Sequence, residues 1–280
     1  MKSVGPMVCH HSDLILPDSR VHFAHYSGSS SGPRKLLLIH GAGVAGDLTW
    51  RFVINYLQGW DEIVVPDLPG MGVSDFVSSD APALEDYLVA LRGLLDHLAW
   101  SDFSIAGYSF GGLLAMHLSA EYSLRSLALV EPAALLSTDI QRLLCRGEEY
   151  LRLGNAIRHE PDNRRHYLEF LDIVSPARVA DARQDALAVE RMMARGSALA
   201  DGVATVGSAL LSGAERYAGW VAPARGCSLV GELSVAEMHE RHEQLARLSS
   251  DWSFHSVSGG DHGLIYTRPR QVAQILNERL

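Results

Sequence analysis

Lysine is almost missing from this chain: of 24 basic residues, only Lys2 and Lys35 are lysine. Nothing in the pattern demands a row of guanidinium forks, so we attribute the bias to codon usage. Cysteine is scarce as well. Cys9, Cys145 and Cys227 form an odd, scattered set. That excludes a disulfide scaffold and fits a reducing, cytoplasmic setting in which each is a small buried or surface thiol. No apolar run approaches the roughly 18 residues a spanning helix needs, so no membrane partner is expected. Positive charge is in deficit, with 24 Lys and Arg against 33 Asp and Glu for a net charge of −9. A large nucleic-acid footprint is therefore not expected. The opening Met1-Lys2-Ser3-Val4-Gly5-Pro6 has no apolar h-region and no cleavage signal.

What is present is ordinary globular material. The chain has 280 residues, 47% of them hydrophobic and 20% charged. That is ample for a sizeable core in one or two domains. No internal repeat is visible, and Ser27 to Pro33 reads as a flexible connector. Leu14-Ile15-Leu16 and Val21 to Ala24 read as an opening hairpin turning at Pro17-Asp18-Ser19. Further short apolar runs follow: Leu36 to Ile39, Ile63 to Val65, Phe103 to Ala106, Leu127 to Val130, Cys227 to Val230, and Trp252 to Val257. Such uninterrupted runs suit strands covered on both faces. Helical patterns lie between them at 48–58, 82–98, 111–121 and 268–280. The clearest is 82–98, with Tyr87, Leu88, Leu91, Leu94 and Leu95 on one face. This alternation predicts an α/β protein with a mostly parallel, twisted sheet and helices on both faces. From Ala133 to Ala222 the pattern is helical without a convincing strand. We therefore expect an inserted helical cap over 133–222 and a core formed by 1–132 and 223–280. Leu187, Met192 and Met193 in that insertion read as helix–helix core rather than pocket lining.

Ligands gather at the carboxyl ends of strands in such a sheet, and the informative residues follow those ends. Gly107-Tyr108-Ser109-Phe110-Gly111 is a G-x-S-x-G pentapeptide. A very tight strand-to-helix turn that thrusts one serine into the open leaves no room for side chains two positions to either side. The pattern alone is weak, since Gly28-Ser29-Ser30-Ser31-Gly32 also fits. Only Ser109 follows an apolar strand and opens a helix, and Ser30 reads as a connector residue. His40-Gly41-Ala42-Gly43 closes an earlier strand, where small residues let the Ala42 amide join that of Phe110 in binding an oxyanion. A serine nucleophile needs a base. Of the 13 histidines, His262, in Gly259-Gly260-Asp261-His262-Gly263, is on a glycine-rich loop after a predicted strand and downstream of the serine. His239 and His242 lie one helical turn apart; with no third ligand evident they read as a solvated helix face rather than a metal site.

These elements, in this order, resemble the α/β-hydrolase superfamily over nearly the whole chain. Asp67-Leu68-Pro69-Gly70-Met71-Gly72-Val73-Ser74-Asp75 is similar to that family's loop after its fourth strand. The resemblance implies Ser109 as nucleophile, His262 as general base, and the Ala42 and Phe110 amides as oxyanion hole. The family usually places its acid after its seventh strand, but here that stretch reads Gly231-Glu232-Leu233-Ser234-Val235. Ser234 or Val235 stands where relatives often carry Asp, and neither can hold an imidazolium. Two carboxylates offer themselves instead, with Glu131 the preferred acid and Glu232 the alternative. Glu131 closes the family's sixth strand, from which some haloalkane dehalogenases take their acid, and Glu232 lies in the usual loop. Asp261 reads as a turn residue beside the histidine.

The expected activity is cleavage of a carboxylic ester, thioester or lactone of a small to medium apolar substrate through an acyl-enzyme, with no cofactor and no metal. Two other readings stay open on the same fold: C–C bond hydrolysis, lyase or cyclase chemistry, and a non-enzymatic ligand receptor. Dehalogenation is disfavoured, because those enzymes carry Asp where Ser109 stands. The expected partner is a small molecule, and the sequence leaves the oligomeric state open.

Overall fold

The apolar runs become strands and the periodic segments become helices, in a computed structural model that describes residues 7–28, 32, 34–78, 80–179 and 181–280. The opening segment Met1 to Pro6 and the serine Ser30 lie outside the described residues. The hairpin is β1 (Val8–Ile15) and β2 (Ser19–Ser27), longer than the apolar cores that announced it. After it come β3 (Lys35–Ile39), α1 (Gly46–Ile54), β4 (Glu62–Pro66), the two-residue β5 (Asp75–Phe76) and α2 (Leu84–Leu98). β6 (Ser104–Tyr108), α3 (Phe110–Glu121) and β7 (Ser126–Val130) follow. The helical stretch holds α4 (Ile140–His159), α5 (Arg164–Val174), α6 (Ala182–Met193) and α7 (Gly196–Ala218). The chain then returns to the sheet with β8 (Gly226–Gly231), α8 (Ala236–Leu248), β9 (Trp252–Val257), α9 (Leu264–Thr267) and α10 (Pro269–Arg279).

The nine strands form one sheet in the order β1-β2-β4-β3-β6-β7-β8-β9, with β5 attached to β2. β2 runs antiparallel to its neighbours, and every pairing from β4 through β9 is parallel. Successive side chains of a strand point to opposite faces, and the core divides accordingly. Leu37, Ile39, Ile105, Leu127 and Leu129 pack with Leu88 and Leu91 of α2 and Leu113 and Leu114 of α3. Leu36, Leu38, Ala106, Ala128 and Val130 pack on the other side with Trp50 and Val53 of α1 and Val272 and Leu276 of α10. Both faces of the sheet are therefore covered by helices.

Three of the inserted helices begin at side-chain caps. Asp139, Asn163 and Asp181 each accept a hydrogen bond from a backbone N–H in the first turn of α4, α5 and α6, which satisfies donors the helix itself leaves unpaired. α4 and α7 approach closely because small residues face each other. A Cβ on Gly154 would lie 2.7 Å from the Ala200 carbonyl, and one on Gly207 2.5 Å from the Leu151 nitrogen. Met192 and Met193 pack against the large core cluster, whereas Leu187 stands exposed on α6. No described helix is long and apolar enough to cross a membrane.

Candidate active site

Register alone brings the two key strand ends together. In the parallel β6–β7 pair, Tyr108 is opposite Val130, so Ser109 and Glu131 leave the sheet side by side. Both do so with left-handed backbone, φ being 53° at Ser109 and 48° at Glu131, a conformation that L residues rarely hold without support. At Ser109 the support is visible: its N–H donates to the Val130 carbonyl at 3.0 Å, and its carbonyl accepts from Gly112 at 2.9 Å. The flanking glycines are obligatory. A Cβ at position 107 would sit 2.3 Å from the Gly111 carbonyl oxygen, and one at 111 would sit 2.3 Å from that of Ile39. At Glu131 the N–H donates to Leu229 on β8 at 2.9 Å.

β8 and β9 supply the rest. Gly231 pairs with Val257 at the end of the β8–β9 ladder, and the loop beyond β9 carries His262 over the serine. His262 Nδ1–H donates to Glu131 Oε2 at 3.1 Å, and Nε2 accepts from Ser109 Oγ at 3.1 Å; the tautomer follows from the carboxylate on Nδ1. The backbone of His262 is fixed by the Tyr108 hydroxyl, which donates to its carbonyl at 2.9 Å. Glu131 is 1% exposed, and its second oxygen is also taken. Oε1 accepts from the Gly231 N–H at 2.6 Å and from the Ser234 hydroxyl at 2.7 Å. The sequence offered no direct sign of this grip. In hindsight, the signal was a serine standing where relatives often carry the acid.

The other candidates fall elsewhere. Glu232 turns away from His262 and accepts from the Gly259 N–H at 2.7 Å and the Ser258 hydroxyl at 3.1 Å. Asp261 accepts from Gly263 N–H at 2.9 Å, as a turn residue does. His239 and His242 do not form a solvated face. His242 is fully buried and stacks on Phe254, and His239 bonds to the Gly231 carbonyl at 2.9 Å. The amphipathic face of α8 turns inward here, and burial with Arg241 and His239 nearby pushes His242 down to about 3 despite the opposing Leu135 carbonyl. Among the described residues, no group of three or more His, Cys, Asp or Glu side chains is arranged to hold a metal ion.

Ala42 and Phe110 both line the cavity at Ser109. Phe110 is the first residue of α3, so its N–H belongs to the turn that has no intrahelical acceptor. The Ala42 loop is held by His40 and Asp67. His40 Nδ1–H donates to the Gly41 carbonyl at 2.7 Å and Nε2 accepts from the Leu68 N–H at 2.9 Å. Asp67 accepts from Gly46 at 2.6 Å and Val73 at 2.9 Å. Burial holds His40 below its ordinary value, the Asp67 charge opposing; a neutral ring suits its donor-and-acceptor role.

Ser109, His262 and Glu131 sit in a cavity of about 500 Å³. Its inner wall is apolar, with Leu143 and Tyr150 of α4, Phe170 of α5 and Val203 of α7, and its outer rim carries Arg142, Arg146, Glu149 and Glu237. Cys145 also lines it, exposed, while Cys227 is buried. A serine hydroxyl bonded to a neutral imidazole, which is bonded in turn to a buried carboxylate, is an arrangement able to transfer a proton away from the hydroxyl.

Residues 36–275 match the model of the Alpha/beta hydrolase family. The chain belongs to that family. The chain is 36% identical over 109 residues to the lipase LipV of Mycobacterium tuberculosis, covering 38% of this chain and 40% of that protein. It is 34% identical over 95 residues to the magnesium-chelatase 30 kDa subunit of Rhodobacter capsulatus, covering 34% of this chain and 33% of that one. The matched stretches thus span a third to two-fifths of these curated relatives. Among solved structures, one from a study of carboxylesterases of the thaumarchaeon Nitrososphaera gargenis superposes with a TM-score of 0.70 at 18% identity, covering 95% of this chain and 96% of that chain. That likeness is one of fold.

Proposed function

We propose that this hydrolase cleaves a carboxylic ester, or a related thioester or lactone, of a small to medium, largely apolar substrate through an acyl-enzyme. The observation that carries the reading is the hydrogen-bond chain from Ser109 through His262 to Glu131 on the cavity wall. Similarity to a lipase over part of the chain supports it. Ser109 Oγ attacks the carbonyl carbon while its proton passes to His262 Nε2. The carbonyl oxygen becomes an oxyanion held by the amides of Ala42 and Phe110. Glu131 holds the imidazolium by its Nδ1–H. His262 then protonates the leaving oxygen or sulfur as the bond to carbon breaks, leaving an acyl-serine. Water, activated by the same imidazole, attacks that carbonyl and releases the acid. Protein, substrate and water supply every proton and electron pair, so no cofactor is invoked. We read residues 133–222 as the cap that shapes the pocket over a core of 1–132 and 223–280.

The test is turnover of a panel of p-nitrophenyl acyl esters, thioesters and a vinylogous diketone. We expect ester hydrolysis with a burst of p-nitrophenol where deacylation is slow. Turnover of the diketone alone would move the same serine to C–C bond hydrolysis. Ligand binding with no turnover of any member would overturn the enzyme reading in favour of a receptor.

A further inference from the structure

Tyr150 is the residue that points to what the cavity accepts. It lies on α4, lines the cavity beside Leu143 and is 7% exposed. The other buried polar side chains of the cavity have protein partners. Ser109, Glu131, Ser234 and His262 bond to one another, and Ser137 accepts from the Asp139 N–H at 3.0 Å. At the rim, Arg142 pairs with Glu237, and Arg146 pairs with Glu149 at 3.2 Å. The Tyr150 hydroxyl has no hydrogen-bond partner among the described residues. Its ring is held in place, buried among apolar neighbours with the Arg146 guanidinium over it at 5.8 Å from the centroid.

We propose that the Tyr150 hydroxyl donates a hydrogen bond to a neutral oxygen of the substrate, so that the preferred substrates are esters carrying a ketone or ether oxygen within an otherwise apolar group. The proposal rests on the ester-hydrolase reading and deepens it. A phenol shut into an apolar cavity by a hydrocarbon chain loses its solvent and gains nothing in return, whereas an acceptor oxygen at the right position restores the bond. Burial, opposed by Arg146 and reinforced by Glu149 and Glu131, holds the phenol above its ordinary value. It therefore stays protonated and acts as a donor across the neutral range. The carboxylates of Glu131 and Glu149 that share this cavity disfavour an anionic acceptor, and with Arg146 engaged by Glu149 the preferred oxygen is uncharged.

The experiment compares p-nitrophenyl esters of plain C6 to C10 acids with analogues in which one chain methylene is replaced by a carbonyl or an ether oxygen at successive positions. At one position the wild type should favour the oxygen-bearing ester by roughly tenfold to a hundredfold in kcat/KM. Tyr150→Phe keeps the ring and should erase that preference, bringing the ratio of kcat/KM between the oxygen-bearing and plain esters close to one. No preference at any position, or an equal loss on both series in Tyr150→Phe, would overturn the proposal while leaving the ester reading intact. If the wild type turned over no ester, that reading would fail instead. Calorimetry with the corresponding free ketones, ethers and alkanes on wild type and Tyr150→Phe would then still decide the role of the hydroxyl. Tighter binding of the oxygenated ligands to the wild type alone would support it, and equal binding to both proteins would overturn it.

Discussion

Glu131 has one oxygen on His262 and the other gripped by the Gly231 amide and the Ser234 hydroxyl. This division fixes which way the carboxylate faces, and through it which nitrogen of His262 carries the proton. Glu131→Gln should therefore lower kcat by up to about 10⁴ with a much smaller change in KM. Glu232→Gln, which alters only the bonds to Gly259 and Ser258, should leave both constants near wild type. Ser234→Ala removes one of the two bonds to Oε1 and should lower kcat roughly tenfold. Ser234→Thr, which restores the hydroxyl, should recover it. Steady-state kinetics of the four variants check this. An undiminished kcat in Glu131→Gln, or a larger loss in Glu232→Gln, would contradict the assignment. Sequence favoured Glu131 over Glu232 by its place at a strand end but could not fix the geometry that separates them. The choice depends on β6–β7 register and on a left-handed turn at residue 131, both set by the assembled sheet.

At the scale of elements, the legible parts were those whose signals are local. The strand runs from Leu36 to Val257, the helix of 84–98 and the glycine-flanked turn at Ser109 each carry their own pattern within a dozen residues. α8 departs from the solvated face expected at His239 and His242 because its polar sequence hides an inward face: Arg241 and His242 are buried with Met238 and Leu245. The consequence is measurable. With His242 held at about 3 in the folded protein and near 6.5 when unfolded, the unfolded chain binds the proton first as pH falls. Its contribution to stability is complete above the unfolded value and is lost progressively as pH drops toward 3, on the order of 2 kcal/mol by pH 5. His40, His117 and His255 are also held low, chiefly by burial, and act in the same direction. Urea unfolding at pH 7 and pH 5 should therefore show a large drop in the wild type and a smaller one in His242→Phe, which removes the titration and keeps a ring against Phe254. Equal drops in the two proteins would show that His242 does not set the acid sensitivity.

For the molecule as a whole, the architecture follows from where the alternating pattern holds and where it stops. Strands with apolar residues on both faces require helices on both sides, and α2 and α3 against α1 and α10 provide them. Where the alternation lapses after β7, four helices enter between β7 and β8, the strand ends that supply Glu131 and the loop of Ser234. Helices of the insertion therefore line the cavity at Ser109, and residues as distant in sequence as Tyr150, Phe170 and Val203 share it. No local pattern announces that convergence, so the cavity became visible only once the elements were packed. The central claim, that Ser109 is a nucleophile activated by His262, is tested most directly by treating the folded protein with a fluorophosphonate and locating the adduct by peptide mass spectrometry. A single adduct on Ser109, absent in Ser109→Ala and strongly slowed in His262→Ala, is the expected result. An unlabelled Ser109 in protein shown to be folded, or labelling that persists in Ser109→Ala, would contradict it.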